Sequence, residues 1–310
     1  MVSSTQEIDS LRSHYISARF NLIRTKTTIK STESCKAAGR RATLKGRYFY
    51  KYVTFDENMN VLKLLTENKI KFSAPSAFND PFDCNPCFSA SSVPRKLKPE
   101  LFARVNWVGS PAQRLLSRQK AVNRVDAAFD SGTFIMNTMS DIGILSLSRT
   151  PWSVLMWSHY TKHHQGFAVE FHQPELIPAS DDAANRWLVT FPVDYVDKRP
   201  VLGRWSDSAE VEVERIFMVK SSEWKYEEEE RAIDFERGPG IYEYEPRLLK
   251  SVIAGVNIGE MEFDLLVCAV KGFNKKWGAS VALYRAEVDP KHYRLRIPGF
   301  RRRVNVEQHS

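Results

Sequence analysis

Residues 150–171 read TPWSVLMWSHYTKHHQGFAVEF, a helix that runs directly into a strand. Thr150 carries the short hydroxyl of an N-cap, and Pro151 suits a first helical turn. Gly166 suits a left-handed helix end. Phe167, Val169 and Phe171 then share one face of a strand. Trp152, Met156, His159 and His163 recur three or four residues apart, so one helix face is part apolar and part imidazole. Such a face is either core with satisfied polar tips or the wall of a site. The stretch leaves both readings open.

Working outward, GILSLS at 143–148 predicts a buried strand that leads into this helix. RYFYKYVTF at 47–55 predicts an aromatic-rich first strand. Asp56 is placed to cap a helix through about residue 68, and Ile70, Phe72 and Ala74 a second strand. The three prolines and the Asn/Asp set of PSAFNDPFDCNPCF exclude regular structure there. Leu115, Val122, Val125 and Phe129 fit a helix. Beyond the opening stretch, 187–196 predicts a strand that Pro192 confines to an edge or bulge. Helices are expected at 206–220 and 260–273, and strands at 226–235, 248–256, 280–288 and 293–297. Strands and helices mix without regular alternation, which predicts an α+β fold with a mixed or mostly antiparallel sheet and flanking helices.

The chain has 310 residues, 43% of them hydrophobic, enough for a sizeable core. Residues 1–46 are basic; Ile8, Leu11, Tyr15 and Leu22 keep an approximate helical stripe and 25–46 has no period, so an N-terminal arm, partly helical or disordered, is expected before one domain at 47–298. A basic tail, 299–310, contains Arg301, Arg302 and Arg303. The net charge of +8 permits anionic partners without establishing one. Four cysteines in a chain this long do not make a disulfide framework, and no apolar run approaches a membrane span. The expectation is a soluble cytoplasmic protein with no membrane partner.

Two further groups could carry chemistry. In WKYEEEERAI at 224–233, a strand would set Glu227, Glu229, Arg231 and Ile233 on one face and Glu228, Glu230 and Ala232 on the other. Four successive carboxylates are costly in a strand unless they meet cations or water. In FNDPFDCNPC, Asn79, Asp80 and Asp83 could orient a base, bind a metal or simply fold the loop. Cys84 and Cys87 form one CxxC pair without a second; His163 and His164 could complete a Cys/His set, but no metal is expected. His159 and His163 have metal-pair spacing but lack the HExxH pattern.

The strings FYKY, KFSAPSAFNDPFDC, GILSLSRTPWSVLMWSHYTKHHQGFAVEF and WKYEEEERAI, in this order, resemble the bacterial family known as domain of unknown function 2971. Glu230 stands where that family usually has an aromatic residue. More distantly, the order of a polar-aromatic first strand, an aromatic/His middle element and a late Glu resembles ADP-ribosyltransferases. That resemblance implies a split antiparallel sheet with NAD as co-substrate, and a late Glu that steadies the oxocarbenium-like transition state as nicotinamide leaves. The matching positions are Tyr50 or Lys51 with Tyr52, then Ser73 or His159 with Tyr160, then Glu229. Trp157, His159 and Tyr160 would line the pocket, Asn79 and Asp80 would shape its mouth, Arg231 would help bind the substrate, and Glu229, Glu227 and His159 are the expected catalytic residues.

The expected function is NAD-dependent ADP-ribosyl transfer or NAD cleavage in a toxin or phage-defence setting, with nucleic acid or protein as acceptor and no metal. Two alternatives stand beside it. One is a metal-dependent hydrolase or nuclease using Asp80, Asp83, His159 and Glu227 or Glu229. The other is a binding module in which these clusters form a polar core.

Overall fold

Aromatic side chains fill RYFYKYV, and Arg47–Val53 forms strand β1 as that composition predicts. The computed structural model describes residues 46–88, 109–130, 139–174, 188–202 and 209–301. The expected basic arm and the tail beyond residue 301 lie outside them. After β1 come α1 (Lys63–Thr66), β2 (Lys69–Phe72), β3 (Cys87–Phe88), α2 (Pro111–Asp130) and β4 (Gly143–Ser148). Next are α3 (Val154–Tyr160), β5 (Phe167–Gln173), β6 (Phe191–Pro192), β7 (Asp194–Val196) and β8 (Val201–Leu202). Then follow α4 (Ala209–Phe217), β9 (Val219–Ser221), β10 (Glu229–Asp234) and β11 (Gly240–Glu243). The series ends with β12 (Leu249–Ala254), α5 (Glu260–Trp277), β13 (Ala282–Arg285), β14 (Glu287–Val288) and β15 (Leu295–Arg296).

The fold is α+β with a mostly antiparallel sheet. By contacts the chain divides into two units interleaved in sequence: residues 74–142 with 196–221, and residues 42–73 with 143–195 and 222–310. The domain expected over 47–298 spans both. In the first unit, β3 pairs in parallel with β8. There, buried Lys220 Nζ lies 3.4 Å from buried Asp83 Oδ2. Asp80 Oδ1 accepts the Phe82 N–H, the loop-folding role open to an Asx residue, and Asn79 is exposed.

The second unit holds a seven-stranded sheet in the order β13-β12-β5-β1-β4-β10-β6. Every pairing is antiparallel except β12 with β13, which α5 joins by a crossover. Of the strand expected over 187–196, only Phe191–Pro192 joins this sheet, as the short edge strand β6 that Pro192 allows; Asp194–Val196 is not part of it. Phe49, Val169, Phe171 and Val252 face one side, packed with Leu65 of α1 and Leu266 and Phe273 of α5. Tyr50, Tyr52, Ala168 and Ile253 face the other, packed with Met156 and Trp157 of α3. The period-2 alternation of β1 and β5 therefore feeds two cores, one on each side of the sheet.

Several local expectations shift. Asp56 does cap, accepting the N–H groups of Asn58, Asn60 and Val61, but only a 3-10 turn and the four-residue α1 follow. Ser153, not Thr150, caps α3, its Oγ accepting the Met156 N–H. Thr150 instead holds the preceding turn through the Trp152 N–H. The helix ends at Tyr160, and the left-handed residues after it are Lys162, His163 and His164 rather than Gly166. Leu115 is 70% exposed on α2, so it faces water rather than a core.

Candidate functional site

Strand register brings polar residues from distant parts of the chain into one row. Glu170 opposes Tyr50 and Ser251, and Ser148 opposes Tyr50 and Glu229. Opposed residues in an antiparallel sheet point to the same face. Ser251, Glu170, Tyr50, Ser148 and Glu229 thus cross five strands on the α3 side. Glu170 is fully buried and accepts the Tyr50 hydroxyl at 3.0 Å and the Ser251 hydroxyl at 2.8 Å. The Ser148 hydroxyl donates to the Glu227 carbonyl at 2.6 Å. The row follows the rule that buried polar groups find partners.

The four-carboxylate run resolves into four environments. Residues Ser222–Glu227 form a 3-10 turn rather than the start of a strand, and Glu228 sits exposed at φ 44°. That left-handed residue turns the chain into β10. Glu229 and Arg231 share a face, as alternation predicts. Arg231 Nε and Nη2 donate to Glu229 Oε1 and Oε2 at 2.7 and 3.0 Å in a buried two-point pair. Glu230 points to the opposite face, where Arg47 Nη1 reaches it at 3.2 Å. Burial pushes the Glu230 carboxyl pKa up, and the Arg47 charge opposes that shift. Glu227, 3% exposed, receives the Tyr160 hydroxyl at 2.5 Å.

The C-terminal end of α3 positions the accessible part of the cluster. Tyr160 engages Glu227, while its neighbour His159, exposed, places Nδ1 3.0 Å from the Tyr226 hydroxyl. Tyr226 also packs against Trp224, with ring centroids 5.9 Å apart. A second aromatic group forms around Phe300, which meets Tyr50, Trp152 and Tyr284 edge-on.

Glu227, His159 and Tyr160 therefore come together. Other expected pocket residues are placed differently. Trp157 is completely buried, donates its indole N–H to the Pro151 carbonyl and meets Tyr52 edge-on, so it is core rather than pocket wall. Tyr52 donates to the Thr150 carbonyl, and burial raises its pKa well above the usual value. Ser73 joins Ile144 through main-chain hydrogen bonds in both directions. Asn79 and Asp80 belong to the other unit. Among the described residues, no three His, Cys, Asp or Glu side chains come together as a set that could hold a metal ion.

Sequence reasoning missed Tyr226, Glu170, Ser148 and Ser251. Glu170 did leave a signal: it is the lone carboxylate in FAVEF, a strand otherwise apolar on both faces.

Lys51 opposes Val169 on the α5 side of the sheet, away from Tyr50, and its Nζ donates to the Ser146 carbonyl at 2.9 Å. Burial lowers its pKa from 10.5 to about 8, with the Glu229 charge opposing the shift in part. Between those values the unfolded chain holds a proton that the folded chain releases. Stability therefore rises with pH across that window, by roughly 3 kcal/mol at most. Denaturant unfolding of wild type and Lys51→Met at about pH 7.5 and about pH 10 checks this. The wild type should gain relative to the variant on going alkaline; parallel profiles would refute it.

Compared with known proteins, the chain matches no family model, no curated protein and no solved structure.

Proposed function

We propose that the chain breaks the nicotinamide–ribose bond of NAD and passes ADP-ribose to an acceptor or to water. The observation that carries this reading is the Glu227 carboxylate, nearly buried, held by Tyr160 and flanked by the His159–Tyr226 pair. As the glycosidic bond breaks, its electron pair leaves with the pyridine nitrogen as neutral nicotinamide, and ribose C1′ becomes cationic. A carboxylate oriented in advance, in a site with little water, stabilises that cation without reorganising. The Tyr226 and Trp224 rings offer surfaces for the nicotinamide. The acceptor oxygen or nitrogen bonds to C1′, and its proton passes to the exposed His159 imidazole.

The late-strand Glu of the ADP-ribosyltransferase resemblance is Glu229, which is committed to Arg231. We therefore assign charge stabilisation to Glu227, two residues earlier, and give Glu229 the structural task of anchoring Arg231. The likeness to the bacterial family of unknown function, and the toxin or defence setting, rest on the sequence strings alone.

Nicotinamide release from NAD by purified protein tests the reading, with nucleic acid, protein or no acceptor. Glu227→Gln should lower the rate about 100-fold while leaving the melting temperature near that of wild type. No release by the wild type with any acceptor sinks the reaction. Equal rates for wild type and Glu227→Gln sink the role given to Glu227 and leave the reaction standing.

A further inference from the structure

The β14–β15 hairpin ends in DPKHYR, residues 289–294. Asp289 makes this turn rigid. Its Oδ1 accepts the main-chain N–H groups of Lys291 and His292, and its Oδ2 accepts Arg294 Nε at 2.8 Å. These contacts, Arg294 foremost, hold the Asp289 carboxyl well below the usual carboxylate range. The aspartate is thus spent inside the turn. Lys291, His292, Tyr293 and Arg294 are left on the exposed side, and Tyr293 is 107% exposed.

Beside this turn lies a cavity of about 760 Å³, within the usual range for small-molecule sites. Val154, Val256, Val288 and Leu295 supply apolar lining, and Lys291 and Arg294 supply cations. His164 completes the wall from the turn after α3. Its Nδ1 is shut off from solvent and has no hydrogen-bond partner. Its ring lies nearly parallel to that of Trp157, 6.5 Å between centroids. None of these residues belongs to the Glu227 cluster.

We infer that this cavity is a second ligand site, built for a nucleoside phosphate. The apolar wall and the uncovered Tyr293 ring suit a planar base, which stacks on aromatic side chains with little regard to sequence. The Lys291 ammonium, and the Arg294 guanidinium that Asp289 holds through Nε, suit a phosphate. His164 adds a flat ring to the wall beside the sugar or base. The same chemistry occurs in a free nucleotide and at a phosphorylated nucleic-acid end. The site stands or falls independently of NAD cleavage.

Titration calorimetry of the full chain with AMP, inorganic phosphate, adenosine and a 5′-phosphorylated oligonucleotide tests the inference. AMP should bind saturably, with phosphate and adenosine each at least about tenfold weaker, because each supplies only half of the contacts. Tyr293→Ala and Lys291→Ala should each weaken AMP about tenfold. Both side chains are exposed, so the fold tolerates the changes. Glu227→Gln should bind AMP as the wild type does. Tighter binding of the oligonucleotide than of AMP assigns the site to a nucleic-acid end; the reverse assigns it to a free nucleotide. No saturable binding by AMP or oligonucleotide overturns the proposal. So does AMP binding that falls in Glu227→Gln and is untouched by Tyr293→Ala, which would place the nucleotide at the other cluster.

Discussion

Replacing Arg231 with leucine should lower the unfolding free energy by roughly 3–5 kcal/mol, the penalty for stripping one partner from a buried ion pair. Arg231 is completely buried and Glu229 nearly so, and the guanidinium occupies both carboxylate oxygens. Without it, Glu229 is left in a low-dielectric row with its main cation gone. The pair itself need not be worth that much, since desolvating both ions offsets most of their attraction. The double variant Glu229→Leu/Arg231→Leu should therefore recover most of the loss. Urea unfolding of both variants reads this directly. A single variant within about 1 kcal/mol of wild type would mean that water reaches the pair. The effect should extend to the candidate site, because Glu229 opens β10 and Glu227 hangs from the turn just before it.

The same pair shows what could be read from the chain and what could not. Alternation in EERAI set Glu229 and Arg231 on one face and Glu230 on the other, and the register agrees. Alternation in FAVEF likewise sent Phe167, Val169 and Phe171 into one core. Such patterns are local, and the sheet and its two covered faces follow from them. Contacts that build the site are not local. Tyr160 meets Glu227 from 67 positions away, and Tyr50 meets Glu170 from 120. They depend on strand order and register, which no single window of sequence contains. The strand expected at 226–228 fails for a related reason. Tyr226 and Glu227 read as strand residues by neighbour pattern, yet the Ser148 hydroxyl and the Arg149 N–H bind the carbonyls of Glu227 and Glu228 and hold a turn there. Trp157 shows the opposite error. An aromatic ring next to His and Tyr suggests a pocket wall, but its N–H finds a main-chain partner six residues back and the ring sinks into the core.

Gly166→Ala should cost roughly 3 kcal/mol, although it adds a single methyl group. The residue needs no left-handed backbone; it is small because the chain is pressed against β1. A Cβ at Gly166 would stand 2.1 Å from the Val53 carbonyl oxygen and 3.0 Å from Thr161 Cβ. Backbone cannot swing aside as a flexible side chain can. On the other side, the Gly255 N–H donates to the Gly166 carbonyl at 2.9 Å, so the turn is held by the end of β12 as well. The segment after α3 is therefore seated between two strand ends, and its seating sets where α3 rests on the sheet. Lifting it should displace Tyr160 from Glu227 as well as lower stability. Gly272 is the control. It lies inside α5, and a Cβ there meets nothing within 4 Å. Gly272→Ala should stabilise by about 0.5–1 kcal/mol through helix propensity alone. Thermal unfolding of the two variants should thus move in opposite directions. A Gly166→Ala protein as stable as wild type would mean that β1 and the α3 turn yield to each other, and the Tyr160–Glu227 hydrogen bond would then lose its rigid support.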